Sequence, residues 1–241
     1  MSDRKKITAM DLNSVAGRPE NIDAVLDGLE KLWGNEGIPP MLAHEEPLDG
    51  LMLTLLSQNT NDKNRDKGFS ALKARFPEWY EVAGAPKEEI ENCIRPAGLA
   101  NTKSARMLEI LGMIHRDFGD YSLNTLRDWD AGRVKEYLST LPGIGAKTIA
   151  CVMLFDLGQP AFPVDTHVAR FCRRMEWVEE KTMPEKIQPL LENWVPQSRY
   201  LGGHVNIIEH GRGICKAQKP NCTACSIKDL CPFYNRSGAP D

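Results

Sequence analysis

Apolar residues recur along this chain every three or four positions, and nowhere do they alternate with the period of two that a half-buried strand needs. Ile22, Val25, Leu26 and Leu29 mark one face of a helix within 20–33, and Leu48, Leu51, Met52 and Leu55 do the same within 47–58. Equivalent spacing predicts helices over 61–75, 86–94, 102–118, 131–140, 145–157, 166–176, 185–194 and 199–210. Pro77, Gly119, Pro142-Gly143, Gly158 and Pro184 punctuate the joints. The pattern predicts an all-α protein.

Length and composition narrow this only slightly. A chain of 241 residues can bury one large core or two modest ones. No run approaches the roughly 18 apolar residues that a membrane span requires. The start, Met1-Ser2-Asp3-Arg4-Lys5-Lys6, has no apolar segment behind its basic residues, so no secretory signal is expected. The expected compartment is the cytoplasm, and the expected state is a monomer.

Cysteines stay reduced in that compartment. Cys215, Cys222, Cys225 and Cys231, spaced C-x6-C-x2-C-x5-C, therefore read as metal ligands rather than disulfides. Zinc sites usually pair two C-x2-C knuckles, whereas here a single one is flanked by longer gaps. Cys93, Cys151 and Cys172 stand alone and read as small buried hydrophobes.

Charge is uneven. The formal net charge is −3, yet residues 11–50 carry nine acidic side chains against two basic ones, which leaves the remainder net positive. Lys63, Arg65, Lys67, Lys73 and Arg75 form one basic group, and Arg199, Arg212, Lys216, Lys219, Lys228 and Arg236 another. A phosphate-binding face is expected to draw on these two groups.

Two segments carry recognisable chemistry. In Leu141-Pro142-Gly143-Ile144-Gly145-Ala146-Lys147, Pro142 ends one helix, Gly143 and Gly145 permit positive φ and close backbone approach, and the following helix turns unpaired N–H groups outward. That is an anion site with a lysine beside it. In Pro163-Val164-Asp165-Thr166-His167, Asp165 stands where a helix N-cap is expected.

The hairpin, the aspartate and the cysteine ladder together resemble the endonuclease III branch of the helix-hairpin-helix DNA glycosylases. Leu55-Leu56-Ser57-Gln58-Asn59-Thr60-Asn61-Asp62 is similar to that family's segment entering the duplex from the minor groove, and Gly98-Leu99-Ala100-Asn101-Thr102-Lys103-Ser104-Ala105 to its wedge loop. The resemblance covers about residues 45 to 234. It implies a bilobed fold: an N-terminal extension and helix (1–43) packing on the cluster lobe, a six-helix lobe with the hairpin (44–159), and an iron–sulfur lobe (160–241).

It also implies that Lys147 is the catalytic amine, activated by partial burial and the helix N-terminus, and that Asp165 is its carboxylate partner. Cys215, Cys222, Cys225 and Cys231 would hold a four-iron, four-sulfur cluster that fixes a basic loop. Gly143, Gly145, Leu99, Gln58, Asn59, His167 and Lys219 are the candidate contacts to double-stranded DNA carrying damaged bases or abasic sites. The implied activity is removal of oxidised or damaged pyrimidines, followed by strand cutting on the 3′ side through β-elimination.

Where bacterial relatives typically have a void-filling glutamine, this chain places Asn59, with Gln58 one residue earlier. Other readings are a mismatch-specific thymine or uracil glycosylase and a non-catalytic DNA-binding module. An adenine glycosylase would lack the lysine.

Overall fold

The computed structural model describes residues 17–36 and 43–237. Among them the secondary structure is helical throughout, with no strand. The chain divides into two compact units, one from Met1–Pro39 and Val164–Asp241, the other from Pro40–Pro163. Residues 1–16 and 37–42 of the expected N-terminal segment lie outside the described residues.

The first unit contains α1 (Ile22–Trp33), α9 (Thr166–Arg174), α10 (Pro184–Trp194), α11 (Tyr200–Gly213) and the short α12 (Pro232–Ser237). Its core is the apolar face of α1, Ile22, Val25, Leu26 and Leu29, with Phe171, Cys172, Leu191 and Ile207, all buried. Helix α11 packs on α1 and on α9. Gly202 makes the α11 approach possible, since a Cβ there would lie 2.4 Å from Glu36 Cα.

The second unit runs α2 (Pro47–Leu56), α3 (Asp62–Arg75), α4 (Trp79–Gly84), α5 (Lys87–Ile94), α6 (Ala100–Phe118), α7 (Ala131–Thr140) and α8 (Ala146–Cys151). Leu48, Leu51, Met52 and Leu55 of α2 meet Met107, Ile110, Leu111 and Ile114 of α6 in one core with Val134, Leu138 and Ile149. Each such side chain stabilises the fold by about 1.5–3 kcal/mol on burial. Helix α2 starts on Pro47 with Glu46 accepting from Leu48 N–H. Glu46 also accepts from Leu123 N–H and the Ser122 hydroxyl, so one carboxylate fixes two chain segments.

Three details differ from the sequence pattern. The 145–157 helix is α only through Cys151; Val152–Asp156 forms a π-turn, with Leu157 N–H on Val152 C=O at 3.0 Å. Asp156 is thereby buried, where its carboxylate meets His44 Nδ1 at 2.7 Å. Helices α4 and α12 had no visible period because each is only six residues long. Cys172 is fully buried, its thiol pushed up to about 12 by burial, whereas Cys93 and Cys151 are only partly buried and so depart from the expected core role.

Candidate DNA-processing site

The hairpin turn is built by four residues, Leu141 to Ile144. Ile144 N–H closes on Leu141 C=O at 3.3 Å, with Pro142 and Gly143 at the corners and Gly143 at φ 72. A proline followed by a left-handed residue is the sequence of a turn that demands glycine at its third position. Gly145 differs from expectation: its φ of −93 and ψ of 173 are open to any residue, and a Cβ there would meet nothing within 4 Å. It caps α8 without a side chain and leaves the first N–H groups of that helix uncovered.

Lys147 occupies the first turn of α8 and is exposed. The partial burial expected of it is therefore not supplied by the chain alone. Asp165, in the other unit, does cap its helix: one carboxylate oxygen accepts from Val168 N–H at 2.8 Å. That bond fixes its rotamer and leaves the other oxygen to act.

Gln58 and Asn59 have different fates. The Gln58 amide donates to Gly143 C=O at 3.1 Å and accepts from Arg106 Nη1 at 3.3 Å, so it ties the end of α2 to the hairpin. Asn59 is exposed with φ 55. Leu99 is likewise left-handed, at φ 49, and 56% exposed. Four described non-glycine residues have positive φ; Asn59, Leu99 and Lys219 are three of them, with Glu176 the fourth. Such conformations cost of order 1–3 kcal/mol each and persist where the surroundings enforce them, often at functional sites.

His167 is half-buried. Its Nδ1 lies 3.0 Å from Arg170 Nη2 and would be 2.7 Å from a Cβ on Gly211. A guanidinium only donates, so Nδ1 accepts and a neutral ring carries its proton on Nε2.

The four cysteines of the ladder line one cavity with Phe171, Arg174, His210 and Ile227. Among the described residues no three thiol, imidazole or carboxyl groups converge closely enough to share one ion. Burial pushes the Cys225 thiol up to about 11 and raises Cys222 and Cys231 as well. Four thiols on the wall of one cavity, with a single C-x2-C pair among them, form an all-sulfur donor set of the kind that holds an iron–sulfur core. The donor set fits.

Arg174 was not singled out by sequence. Its guanidinium donates to Cys215 C=O (3.3 Å), Cys215 Sγ (3.1 Å), Lys216 C=O (2.8 Å) and Ala217 C=O (3.1 Å), while Arg170 Nε donates to Cys215 C=O at 3.1 Å. These arginines, four residues apart on α9, hold the loop that displays exposed Lys216 and Lys219. Their i, i+4 spacing just after Asp165 was the available signal. Lys103 and Arg106 on α6 were missed too, having no counterpart signal in sequence.

A family model described as the HhH-GPD superfamily base excision DNA repair protein matches residues 52–197. The chain is 34% identical over 195 residues to an endonuclease III of Thermotoga maritima, covering 80% of this chain and 86% of that one. It is 36% identical over 198 residues to an Arabidopsis thaliana protein provisionally assigned to the DNA glycosylases, with 79% and 67% covered. A solved structure of a trapped endonuclease III–DNA covalent intermediate matches with a TM-score of 0.77 at 27% identity, over 90% of this chain and 96% of that one.

Proposed function

The chain belongs to the HhH-GPD superfamily of base excision DNA repair proteins, with endonuclease III among its relatives, and we propose that it removes oxidised or ring-damaged pyrimidines from duplex DNA and then cuts the strand. The observation that carries this is an exposed lysine in the first turn of the helix launched by the hairpin turn. The uncovered N–H groups of that helix hold a backbone phosphate, and Lys147 then stands beside a sugar of the same strand.

A base within the stack is out of reach, so the damaged nucleotide is extruded at a cost of a few kcal/mol, lower for a damaged pair. Asn59 and Leu99 fill the vacated space. In the complex, DNA excludes water from around the exposed Lys147 amine. Its nitrogen lone pair attacks C1′ as the base departs with the glycosidic electrons and takes up a proton. The Asp165 carboxylate stabilises positive charge building on the sugar. Ring opening gives a protonated imine, loss of a C2′ proton expels the 3′ phosphate, and water releases the amine.

Cys215, Cys222, Cys225 and Cys231 would hold a four-iron, four-sulfur cluster, which when bound supplies a cross-link rather than a reacting group. Arg170 and Arg174 orient the Lys216–Lys219 loop toward phosphate. Iron near four atoms per chain is expected in anaerobically purified protein; stoichiometric zinc instead would overturn the cluster assignment.

The test of the activity uses duplexes carrying an oxidised pyrimidine, a preformed abasic site, or thymine or uracil opposite guanine. Excision confined to the mismatches would establish the mismatch-specific reading in its place. Wild-type protein should form a borohydride-trapped adduct, and Lys147→Gln should bind the lesion yet give neither adduct nor scission. Trapping at wild-type level by Lys147→Gln would move the nucleophile to another amine.

A further inference from the structure

One buried cation takes no part in that chemistry. Lys103, on α6, is 1% exposed and heads the fully buried side chains by volume. Burial lowers its pKa below the usual lysine value, but charged or neutral the nitrogen keeps at least two N–H donors. It uses two: Nζ donates to Leu56 C=O at 2.7 Å and to Ala97 C=O at 2.8 Å.

The location of those carbonyls gives the contact its meaning. Leu56 ends α2, three residues before Asn59, and Ala97 lies two residues before Leu99. Asn59 and Leu99 are both left-handed without being glycine, so each turn holds a conformation it would relax from if released. One nitrogen is thus bonded to the backbone of both turns, at points 47 and 6 residues away along the chain.

We propose that Lys103 is a positioning residue that sets the spacing between the Asn59 and Leu99 turns, so that both enter the base stack as one unit during extrusion. The inference rests on the glycosylase activity proposed above. A methionine at 103 would fill similar volume yet leave both carbonyls buried and unpaired, letting the turns relax independently. An abasic site has no base to expel and makes less demand on the pair.

The test compares full-length, cluster-containing wild type with Lys103→Met. Single-turnover excision of a paired lesion should slow by about ten- to a hundredfold, the scale of a small displacement of positioning groups. Borohydride trapping on a preformed abasic site should stay within about threefold of wild type, less than 1 kcal/mol of barrier. A fluorescent base analogue beside the lesion should report reduced extrusion. Equal losses on both substrates, or none, would overturn the positioning role.

If wild type neither excises the paired lesion nor traps on the abasic site, the glycosylase reading fails instead. Should Lys103→Met not fold, Asn59→Ala, Leu99→Ala and their double variant decide, since both residues are exposed. A unit predicts a double variant about as slow as the slower single one; losses that multiply would overturn it.

Discussion

Replacing Gly143 with alanine separates the two glycines of the hairpin by magnitude. At φ 72 an L-residue pays about 1–2 kcal/mol for the left-handed conformation. The new Cβ would also stand 2.8 Å from Arg106 Nε and 2.9 Å from its Cδ, so the guanidinium must swing aside. That movement releases its 3.3 Å bond to Gln58, a contact worth about 0.5–1.5 kcal/mol net. Together the loss should be about 1.5–3.5 kcal/mol. Gly145→Ala meets open space at an ordinary φ and should be neutral or stabilising by up to about 1 kcal/mol, through the unfolded state. Its methyl group would nevertheless project into open space beside the start of α8, where a phosphate is proposed to approach, so DNA affinity should fall. Urea unfolding followed by helical circular dichroism gives the first quantity, and anisotropy with an abasic-analogue duplex the second. Equal destabilisation by the two substitutions would refute this account of the turn.

Asp165→Asn keeps an acceptor for Val168 N–H and should unfold within a few tenths of a kcal/mol of wild type, while Asp165→Ala should lose about 1 kcal/mol; lesion-excision assays should find both slow. The Asn variant should still cut a preformed abasic site better than Lys147→Gln. His44 is held above the usual histidine value by its hydrogen bond to Asp156. Its contribution is thus full below pH about 6.5 and lost as pH rises through the raised pKa, so the thermal deficit of His44→Gln should be larger at acidic than at alkaline pH. Arg174→Ala removes the clasp on Cys215, Lys216 and Ala217; faster loss of the proposed cluster's absorbance under chelator and weaker DNA binding are expected, and unchanged values for both would argue against the clasp.

The all-helical fold was legible because α1, α2 and α6 each bury a stripe at three- and four-residue spacing. The left-handed turn at Gly143 was legible for a similar reason, since Pro-Gly at a helix end leaves few conformations open. Tertiary partners were not. Nothing local marks Lys103 as buried, because its acceptors come from two other segments, and nothing distinguishes Gln58, bonded to Gly143, from Asn59, which is exposed. Gly145 was read, like Gly143, as permitting positive φ and close backbone approach, because a glycine's reason is invisible until its neighbours are placed. The expected burial of Lys147 failed likewise: amphipathic spacing reports which face of a helix is covered, but not whether its first turn is left for a ligand.

A π-turn is how a helix absorbs one residue too many, and Val152–Asp156 does so between two anchored points. Upstream, the hairpin turn fixes where Lys147 emerges; downstream, His44 and the bare Cα of Gly50 fix where Asp156 enters. An α-helix rotates about 100° per residue, so a chain one residue longer than the anchors require would otherwise put one end out of phase. The slack is taken up after the amine rather than before it. Loss of a residue between 152 and 155 would let the segment revert to regular α-helix with both anchors kept, whereas any change of length from Gly143 to Lys147 would turn the amine away from the hairpin turn that launches α8. Length variation in this helix is thus cheap on one side of its lysine and ruinous on the other.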